Sequence, residues 1–283
     1  MTGFIDAHSH IWTRDTAKFP LAPGQKVDDL KPPSFTAEEL LERAKPLGID
    51  RVVLIQHSIY HGWDNSYLID AARRFPDQFR VVGMVDDSKP NPDAEMRRLL
   101  PQRVNALRIT PRLAASGRKQ QWLEGPGMEA MWKCAAETRQ AMCCLIDPID
   151  LEPVGKMCQR FPDTVVVIDH FARIGADGQI RDTDVQQLAA LAKYPRTYVK
   201  ISAFYALGKK SSPYLDLTPM IRQLYDAYGP QRLMWASDNP YQIVDGHNYQ
   251  DSLALIRDRL DFLTPTDKEW MLRKTAEQVY FFA

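Results

Sequence analysis

Short apolar runs recur along the chain and are separated by segments in which apolar residues repeat with helical spacing. Three of the runs are almost continuous: RVVLIQ from Arg51, RVVGMV from Arg80 and TVVVID from Thr164. Such runs are typical of strands covered on both faces, as in a parallel sheet. The pattern predicts eight strands, near Phe4–His8, Arg51–Gln56, Phe79–Val85, Asn105–Ile109, Ala141–Ile146, Thr164–Ile168, Thr197–Ser202 and Leu233–Ala236.

Helical segments lie between these strands. The segment FTAEELLERAKPLG has Thr36 as its predicted N-cap and Glu39 three residues later, which is a capping-box pattern. Eight strands alternating with helices over 283 residues predict an α/β fold, a (β/α)8 TIM barrel that forms one domain over 1–283. The longest irregular stretches, Ile11–Phe35 and Thr110–Gly127, are predicted loops, and long loops on barrels often act as lids.

Charge and composition narrow the class of protein. The chain has 36 Lys and Arg residues and 36 Asp and Glu residues, and this balance predicts neither a nucleic-acid partner nor a membrane-surface partner. No apolar run has the length of a membrane-spanning helix, and the first residues lack the basic and apolar pattern of a secretory signal. The four cysteines form no CxxC pair, which predicts free thiols and a cytoplasmic protein: Cys134, Cys143, Cys144 and Cys158.

Polar residues gather at the predicted carboxyl ends of the strands, where TIM barrels carry their chemistry. In FIDAHSH, His8 and His10 are two positions apart, a spacing that points both side chains to one side of a strand. Asp238 follows the eighth strand, which neighbours the first in a closed barrel, so these side chains are expected to meet. The other strand ends supply Gln56, His57, Arg108, Arg112, Asp147, Asp169, His170, Arg173, Lys200, Tyr205 and Asn239.

Each of these residues also has an ordinary structural interpretation. His8 and His10 could be polar residues at a strand exit, and His170 could be a buried histidine bonded to a backbone carbonyl. Asp238 could cap the turn that SDNP favours. The joint pattern is much more informative than any single member, because it brings histidines and an aspartate to one mouth.

Other residues near the mouth have similar alternatives. Arg108 and Lys200 could pair with acidic side chains between strands, and His57 and His61 are expected to be solvated in a loop. Three aromatic side chains could form an apolar wall for a substrate or could pack in the core: Trp12, Phe204 and Tyr205.

The chain resembles the amidohydrolase superfamily, and within it the amidohydrolase-related proteins that include sugar-lactone hydrolases and 2-pyrone-4,6-dicarboxylate lactonase. The matching segments occur in order over nearly the whole chain: FIDAHSHIW, NALRI, FPDTVVVIDHFARI, TYVKISAFY and GPQRLMWASDNP. The resemblance implies a TIM barrel of the amidohydrolase type, whose degree of distortion stays open.

The resemblance also implies roles for matching residues. His8 and His10 would bind a metal ion, or would position water in members that act without metal. Asp238 would be the general base for the attacking water, and His170 would hold that water or the substrate carbonyl. Either of these two could complete the metal-ligand set. The predicted substrate-binding residues are Arg108, Arg112, Arg173, Lys200, Tyr205, Trp12 and Gln56, and the arginines suit carboxylate groups.

Two departures from the metal-rich members bear on the cofactor. The fifth strand reads AMCCLID and has no histidine, and the fourth strand carries Arg108 where such members often have lysine or glutamate. These differences argue against a binuclear site bridged by a carboxylated lysine. We expect one divalent metal ion, with zinc as the leading choice, or none. Cys143, Cys144 and Asp147 are the alternatives for a ligand at the fifth strand, although the cysteines better suit core packing.

The pattern and the resemblance together predict a cytoplasmic hydrolase that opens a lactone of acidic or sugar-derived type. Three alternatives stay open: a metal-dependent amide hydrolase, a decarboxylase of the aminocarboxymuconate-semialdehyde type, and a barrel that binds a small anion without turning it over. The predicted partner is a small, anionic molecule, and assembly into a homo-oligomer stays open as well.

Overall fold

The computed structural model describes residues 3–111 and 121–282. Its strands are β1 (Phe4–Ser9), β2 (Ile49–Ile55), β3 (Phe79–Gly83), β4 (Val104–Ile109), β5 (Ala141–Cys144), β6 (Val166–Ile168), β7 (Thr197–Ile201) and β8 (Leu233–Trp235). They form one eight-stranded sheet in the order β1 to β8, and all neighbours pair in parallel. The predicted TIM barrel is confirmed, and each strand overlaps its predicted position.

Most predicted strands extend beyond the observed ones at their carboxyl ends. The reason is visible at the end of β3, where the side chain of Asn65 replaces a neighbouring strand. Its Oδ1 accepts from the backbone N–H of Met84 at 2.8 Å, and its Nδ2 donates to the carbonyl of Met84 at 2.9 Å. Side-chain hydrogen bonds can therefore satisfy the backbone where the sheet ends and the loop begins.

The first and last strands close the barrel through a few specific contacts. Ser9 forms a bridge with Asn239, and the N–H of His10 donates to the carbonyl of Asn239 at 2.7 Å. The N–H of Asp238 donates to the carbonyl of His8 at 2.8 Å. These bonds fix the backbone that carries the two predicted histidines against the backbone that carries the predicted aspartate.

A buried carboxylate strengthens this junction between β1 and the end of β8, which we call the seam. Oδ2 of Asp6 accepts from the hydroxyls of Ser237 and Tyr249, both at 2.5 Å. Its Oδ1 accepts from the backbone N–H of Ser237 at 2.8 Å and of His8 at 3.1 Å. Burial raises the pKa of Asp6 to about 6, even though these hydrogen bonds favour the ionised form. Asp6 thus joins β1, the end of β8 and the helix that contains Tyr249.

Helices connect the strands and cover much of the barrel. They are α1 (Ala37–Ala44), α2 (Ser58–His61), α3 (Ser66–Arg74), α4 (Pro92–Leu99), α5 (Pro126–Thr138), α6 (Leu151–Arg160), α7 (Asp182–Ala190), α8 (Thr218–Tyr228), α9 (Tyr249–Ala254), α10 (Pro265–Glu269) and α11 (Thr275–Tyr280). The predicted capping box is confirmed: the N–H of Glu39 donates to the Thr36 hydroxyl at 3.2 Å, and Glu39 accepts from the N–H of Thr36. None of the helices in the described ranges is both long and apolar enough to cross a bilayer.

The stretch Ile11–Phe35 packs over the loop that follows β2. Trp12 pairs with Phe35 in an antiparallel bridge. The N–H of Ala22 donates to the carbonyl of Tyr60 at 2.7 Å, and Nδ1 of His61 lies 3.1 Å from the carbonyl oxygen of Pro20. This packing covers α2, and it buries side chains that the sequence places in an open loop.

Candidate active site

A cavity of about 530 Å³ opens at the carboxyl ends of the strands. Its lining includes most of the charged residues predicted for this mouth together with several apolar side chains. The lining residues are His10, His57, Ser58, Ile59, Arg108, Leu145, His170, Arg173, Ala176, Ala203, Tyr205, Ala206, Leu207, Lys210, Asp238 and Tyr241. The predicted convergence of strand ends therefore produces a pocket of ordinary ligand size.

One oxygen of Asp238 lies among three imidazoles. Its Oδ1 is 3.4 Å from Nε2 of His8, 3.3 Å from Nε2 of His10 and 3.9 Å from Nε2 of His170. All four side chains are buried. Burial opposes ionisation of Asp238, but His170 and the other two imidazoles outweigh it and hold the pKa of this carboxyl well below its usual range. Asp238 is therefore a carboxylate at neutral pH, the form that can accept a proton.

The second oxygen of Asp238 is held by a tyrosine. The hydroxyl of Tyr205 donates to Oδ2 at 2.7 Å, which leaves Oδ1 to face the histidines. Burial, together with the negative charge of Asp238, raises the pKa of Tyr205, so its hydroxyl stays protonated as a donor. Tyr205 thus fixes the orientation of the carboxylate.

Unusual backbone angles turn two of these residues into the mouth. His170 has φ of 52° and Asp238 has φ of 69°, both in the left-handed region that residues with a Cβ rarely adopt. His170 begins a run of four such residues that ends at Arg173. Strain of this kind collects where function requires a side chain to point in a particular direction.

Two cations and a second aspartate lie beneath the histidines. Nζ of Lys200 is 3.0 Å from Oδ1 of Asp169, and Nη2 of Arg108 is 3.3 Å from Oδ2. Both cations also approach His8: Arg108 reaches its Nε2 at 3.0 Å and Lys200 reaches its Nδ1 at 3.3 Å. Burial alone would raise the pKa of Asp169, but Lys200 and His8 hold it well below its usual range. The interpretation of Arg108 and Lys200 as partners of an acidic residue is therefore correct.

Arg108 also faces the cavity. Its side chain lines the cavity although it is 4% exposed, and its Nε is buried without a hydrogen-bond partner among the described residues. A buried guanidinium N–H that lacks a partner is costly. Arg173 stands nearer the rim, where it pairs with Asp147 at 2.9 Å.

Three of the predicted substrate-binding residues that the structure describes do not line the cavity. Trp12 is fully buried, and its Nε1 donates to the carbonyl of Pro32 at 2.7 Å. Gln56 is also fully buried and donates to the carbonyl of Gly62 at 3.3 Å. Lys200 lies below the cavity in its pair with Asp169. Arg112 falls outside the described residues.

His57 and His61 are buried, at 5% and 4% exposure, so the expectation that they are solvated is wrong. The cause is the packing of Ile11–Phe35 over α2. Nε2 of His57 lies 2.6 Å from the hydroxyl of Tyr241, and burial, with the nearby charge of His10, holds the pKa of His57 well below its usual range.

Tyr241 also lines the cavity, and the sequence pattern did not identify it as a site residue. Its position just after SDNP, at the end of the eighth strand, is the signal that could have identified it.

The hydrogen bonds of two histidines indicate which ring atoms face the site. Nδ1 of His10 lies 2.9 Å from the carbonyl oxygen of Ile55, which can only accept, so this nitrogen carries hydrogen. Nδ1 of His170 lies 2.8 Å from Oγ of Ser202, a hydroxyl that can either donate to this nitrogen or accept from it. When neutral, the His10 ring therefore turns an Nε2 lone pair towards Asp238. A proton or a metal ion would stabilise this arrangement.

The donor set fits one divalent ion. Within the described ranges, His8, His170 and Asp238 offer ligand atoms that all lie within 4.8 Å of one another. Two imidazoles and one carboxylate are a set that a mononuclear catalytic zinc accepts. The guanidinium of Arg108, 3.0 Å from Nε2 of His8, opposes a second ion and would have to yield if that nitrogen became a ligand.

The chain matches one protein family along nearly its whole length and is similar to known hydrolases. The family model described as Amidohydrolase matches residues 5–282. L-fucono-1,5-lactonase of Burkholderia ambifaria is 29% identical over 87% of this chain and 83% of its own length. 4-Sulfomuconolactone hydrolase of Rhizobium radiobacter is 27% identical over 84% of this chain and 76% of its own.

A solved structure supports the fold. The probable 2-pyrone-4,6-dicarboxylic acid hydrolase of Acinetobacter baumannii, which was crystallised with citric acid bound, superposes with a TM-score of 0.82. It covers 100% of both chains at 20% sequence identity. At this identity the likeness concerns the barrel and its order of strands.

Proposed function

The chain belongs to the amidohydrolase family, and from this premise we propose that it opens an anionic lactone by hydrolysis. The observation that carries the proposal is the environment of Asp238. Its Oδ1 faces three histidine nitrogens at 3.3 to 3.9 Å while Tyr205 occupies its Oδ2. One carboxylate oxygen, ionised and held in place at the floor of a cavity, is suited to accept a proton from water.

In the proposed reaction, a water oxygen adds to the lactone carbonyl carbon while Asp238 takes the water proton. The tetrahedral intermediate then collapses, the bond from the carbonyl carbon to the ring oxygen breaks, and the proton held by Asp238 passes to that oxygen. The product is one open-chain hydroxy acid. His170 and His10, with Nε2 atoms directed to Asp238, would orient the water.

The same residues would hold one divalent metal ion. His8, His170 and Asp238 would be its ligands, with His10 beside them, and zinc matches the donor types. When bound, such an ion lowers the pKa of water and polarises a carbonyl. Adding chelator to the purified protein, with metal content measured before and after, tests whether activity depends on the ion.

Charge in the cavity supports an anionic substrate. Arg108, Arg173 and Lys210 line the cavity, whereas Asp238 is the carboxylate among the described lining residues. Guanidinium groups bind carboxylates in a bidentate way. The relative named for 4-sulfomuconolactone, an anionic lactone, and the neighbour with bound citric acid agree with this assignment, whereas L-fucono-1,5-lactonase is named for a neutral sugar lactone.

The competing activities have less support. A decarboxylase of the type considered above uses a histidine on the fifth strand, whereas Cys143 and Cys144 stand there, both fully buried in the core. An amide needs stronger activation than a lactone, and the two relatives described above are named for lactones. A binder without turnover would have no use for a carboxylate held among three imidazoles.

We further propose a single domain in the cytoplasm. The family match over residues 5–282 supports one domain, and the four cysteines are buried and unpaired, as expected for a reducing compartment. A small molecule is the proposed partner, and assembly into a homo-oligomer stays a prediction to be tested by sedimentation.

The deciding experiment is an assay of products. The purified protein is incubated with carboxylated, sugar-derived and neutral lactones, and acid release is followed at constant pH. Acid release without carbon dioxide or ammonia supports the proposal. Carbon dioxide from a carboxylated aromatic compound would establish a decarboxylase, and amine release from amides would establish an amidase. Saturable binding with no product would leave an anion binder.

A further inference from the structure

We propose that Tyr241 is a catalytic hydrogen-bond donor, oriented by His57, to the substrate oxygen that becomes negatively charged when water adds. This inference rests on the proposed lactone hydrolysis but concerns residues that neither the charge pattern nor the metal-ligand set involves. Both residues line the cavity, and Nε2 of His57 lies 2.6 Å from the hydroxyl oxygen of Tyr241.

The direction of this hydrogen bond follows from the other nitrogen of His57. The backbone N–H of Tyr60 lies 3.3 Å from Nδ1 of His57, as in a helix N-cap. A backbone N–H can only donate, so Nδ1 must present a lone pair. The hydrogen of the neutral ring therefore sits on Nε2 and is donated to the oxygen of Tyr241.

This assignment leaves the hydroxyl hydrogen of Tyr241 without an acceptor among the described residues. A phenol oxygen that accepts one hydrogen bond can still donate its own hydrogen. Among the hydrogen bonds of the described residues, His57 is the partner of this hydroxyl. Because the Tyr241 side chain lines the cavity, its hydrogen is available to an oxygen of a bound ligand, which would take the place of water there.

Packing fixes the pair in place. The ring of His57 stacks on Tyr60 with centroids 4.2 Å apart and meets Trp12 edge-on at 5.3 Å. The ring of Tyr241 stacks with Tyr205 at 6.3 Å. Donors that are already oriented stabilise a developing oxyanion effectively, because no reorganisation is required during the reaction.

Tyr241 lies close to the proposed base in the chain and is bonded to its backbone. Its backbone N–H donates to the carbonyl of Asp238 at 3.1 Å, so the donor is attached next to the base. Arg108 reaches the cavity from β4, and its Nη2 lies 3.0 Å from Nε2 of His8, which in turn lies 3.4 Å from Oδ1 of Asp238. An anionic substituent bound at Arg108 would therefore keep the substrate within the same cavity as Asp238 and Tyr241.

The first test is Tyr241→Phe, which removes the hydroxyl and keeps the ring. We expect kcat on the best lactone to fall about 100-fold, with KM changed less than about threefold, because the bond strengthens in the transition state. Tyr225→Phe is the matched control, since it removes a hydroxyl that bonds Asp267 on the helical surface and should leave kcat unchanged. An unchanged kcat in Tyr241→Phe, or a rise in KM alone, would overturn the proposal.

The second test does not depend on turnover. Nitrogen-15 NMR of histidine-labelled protein reports which ring nitrogen of His57 carries hydrogen, and the signal is assigned by its loss in His57→Gln. Should that variant fail to fold, the shift of the same signal in Tyr241→Phe assigns it. Hydrogen on Nε2 supports the proposal, whereas hydrogen on Nδ1 overturns it even if lactone hydrolysis is confirmed. If no lactone is hydrolysed, the proposed function fails and takes the catalytic role with it.

Discussion

The hydroxyl of Tyr205 donates a 2.7 Å hydrogen bond to one oxygen of Asp238 and leaves the other oxygen to the three histidines. In the proposed mechanism, Tyr205 holds one oxygen of Asp238 in position, and the other oxygen accepts the proton. We expect Tyr205→Phe to lower kcat by roughly 10- to 100-fold, the value of a hydrogen bond to a charged group. Stopped assays at saturating lactone would measure it. An effect confined to KM would mean that Tyr205 contacts substrate and does not orient Asp238.

Replacing the carboxylate itself should have a larger effect. Asp238→Asn keeps the side-chain volume but removes the proton acceptor, so kcat should fall by about 10³-fold or more. The thermal midpoint should be kept, because Asp238 stands at the cavity floor and not in the apolar core. Kinetics and calorimetry on the same preparation provide both values. Appreciable turnover in this variant would exclude Asp238 as the base.

Arg108 can be tested with a pair of substrates. In Arg108→Met, KM for an anionic lactone should rise at least about 10-fold more than KM for a neutral lactone of similar size. The ratio matters because Arg108 also pairs with Asp169, so general damage to the site would affect both substrates alike. Equal effects on both lactones would make Arg108 a structural residue.

The buried pair of Lys200 and Asp169 should dominate local stability. Lys200→Met leaves the fully buried Asp169 without its 3.0 Å partner, and we expect a loss of about 3–5 kcal/mol in the free energy of unfolding. Urea titration would measure it. Lys156→Met is the control, because its pair with Glu152 is exposed and should contribute little. Similar losses in both variants would show that burial of the pair is unimportant.

Because Asp6 is buried in the seam, its contribution to the free energy of unfolding depends on pH. Its pKa is raised from 3.8 to about 6 by burial, so the folded protein binds this proton more tightly than the unfolded chain does. The stabilisation from Asp6 is therefore complete below pH 3.8 and is lost as the pH rises through about 6. The loss should be of the order of 3 kcal/mol.

Urea unfolding of the wild type and Asp6→Asn between pH 4 and 7 isolates this effect as the difference between the two curves. Other carboxylates contribute equally to both proteins and cancel. A difference that does not change with pH would show that Asp6 has the same pKa in the folded and unfolded chains.

The barrel and the meeting of His8, His10 and Asp238 could be predicted from the sequence, because both follow from short-range regularities. Spacing of two along a strand turns the histidines to one side, and closure of a barrel makes β1 and β8 neighbours. The Nε2 atoms of His8 and His10 lie 3.4 Å apart, and both approach Asp238. The family resemblance supplied the roles.

The burial of His57 and the place of Tyr241 could not be predicted in this way. His57 is covered because Ile11–Phe35, which lacks any periodic pattern, packs over α2 through bonds such as that between Ala22 and Tyr60. Such packing depends on residues that are distant in sequence and leaves no local signal. For Lys200, the sequence offers an acidic partner as one alternative but does not identify Asp169, which follows β6, as that partner.

The seam between β1 and β8 also affects how the protein is made. The histidines of FIDAHSH belong to the first strand, and Asp238 follows the last one. Domains fold as units, and during synthesis the N-terminal parts emerge first from the ribosome. A nascent chain can therefore begin to assemble strands early. It lacks Asp238, which is both the proposed base and the third member of the cluster with His8 and His170, until about residue 240 has emerged. Chains that stop short of this point would contain most of a barrel and no reactive centre, so activity marks only chains that were synthesised past the last strand.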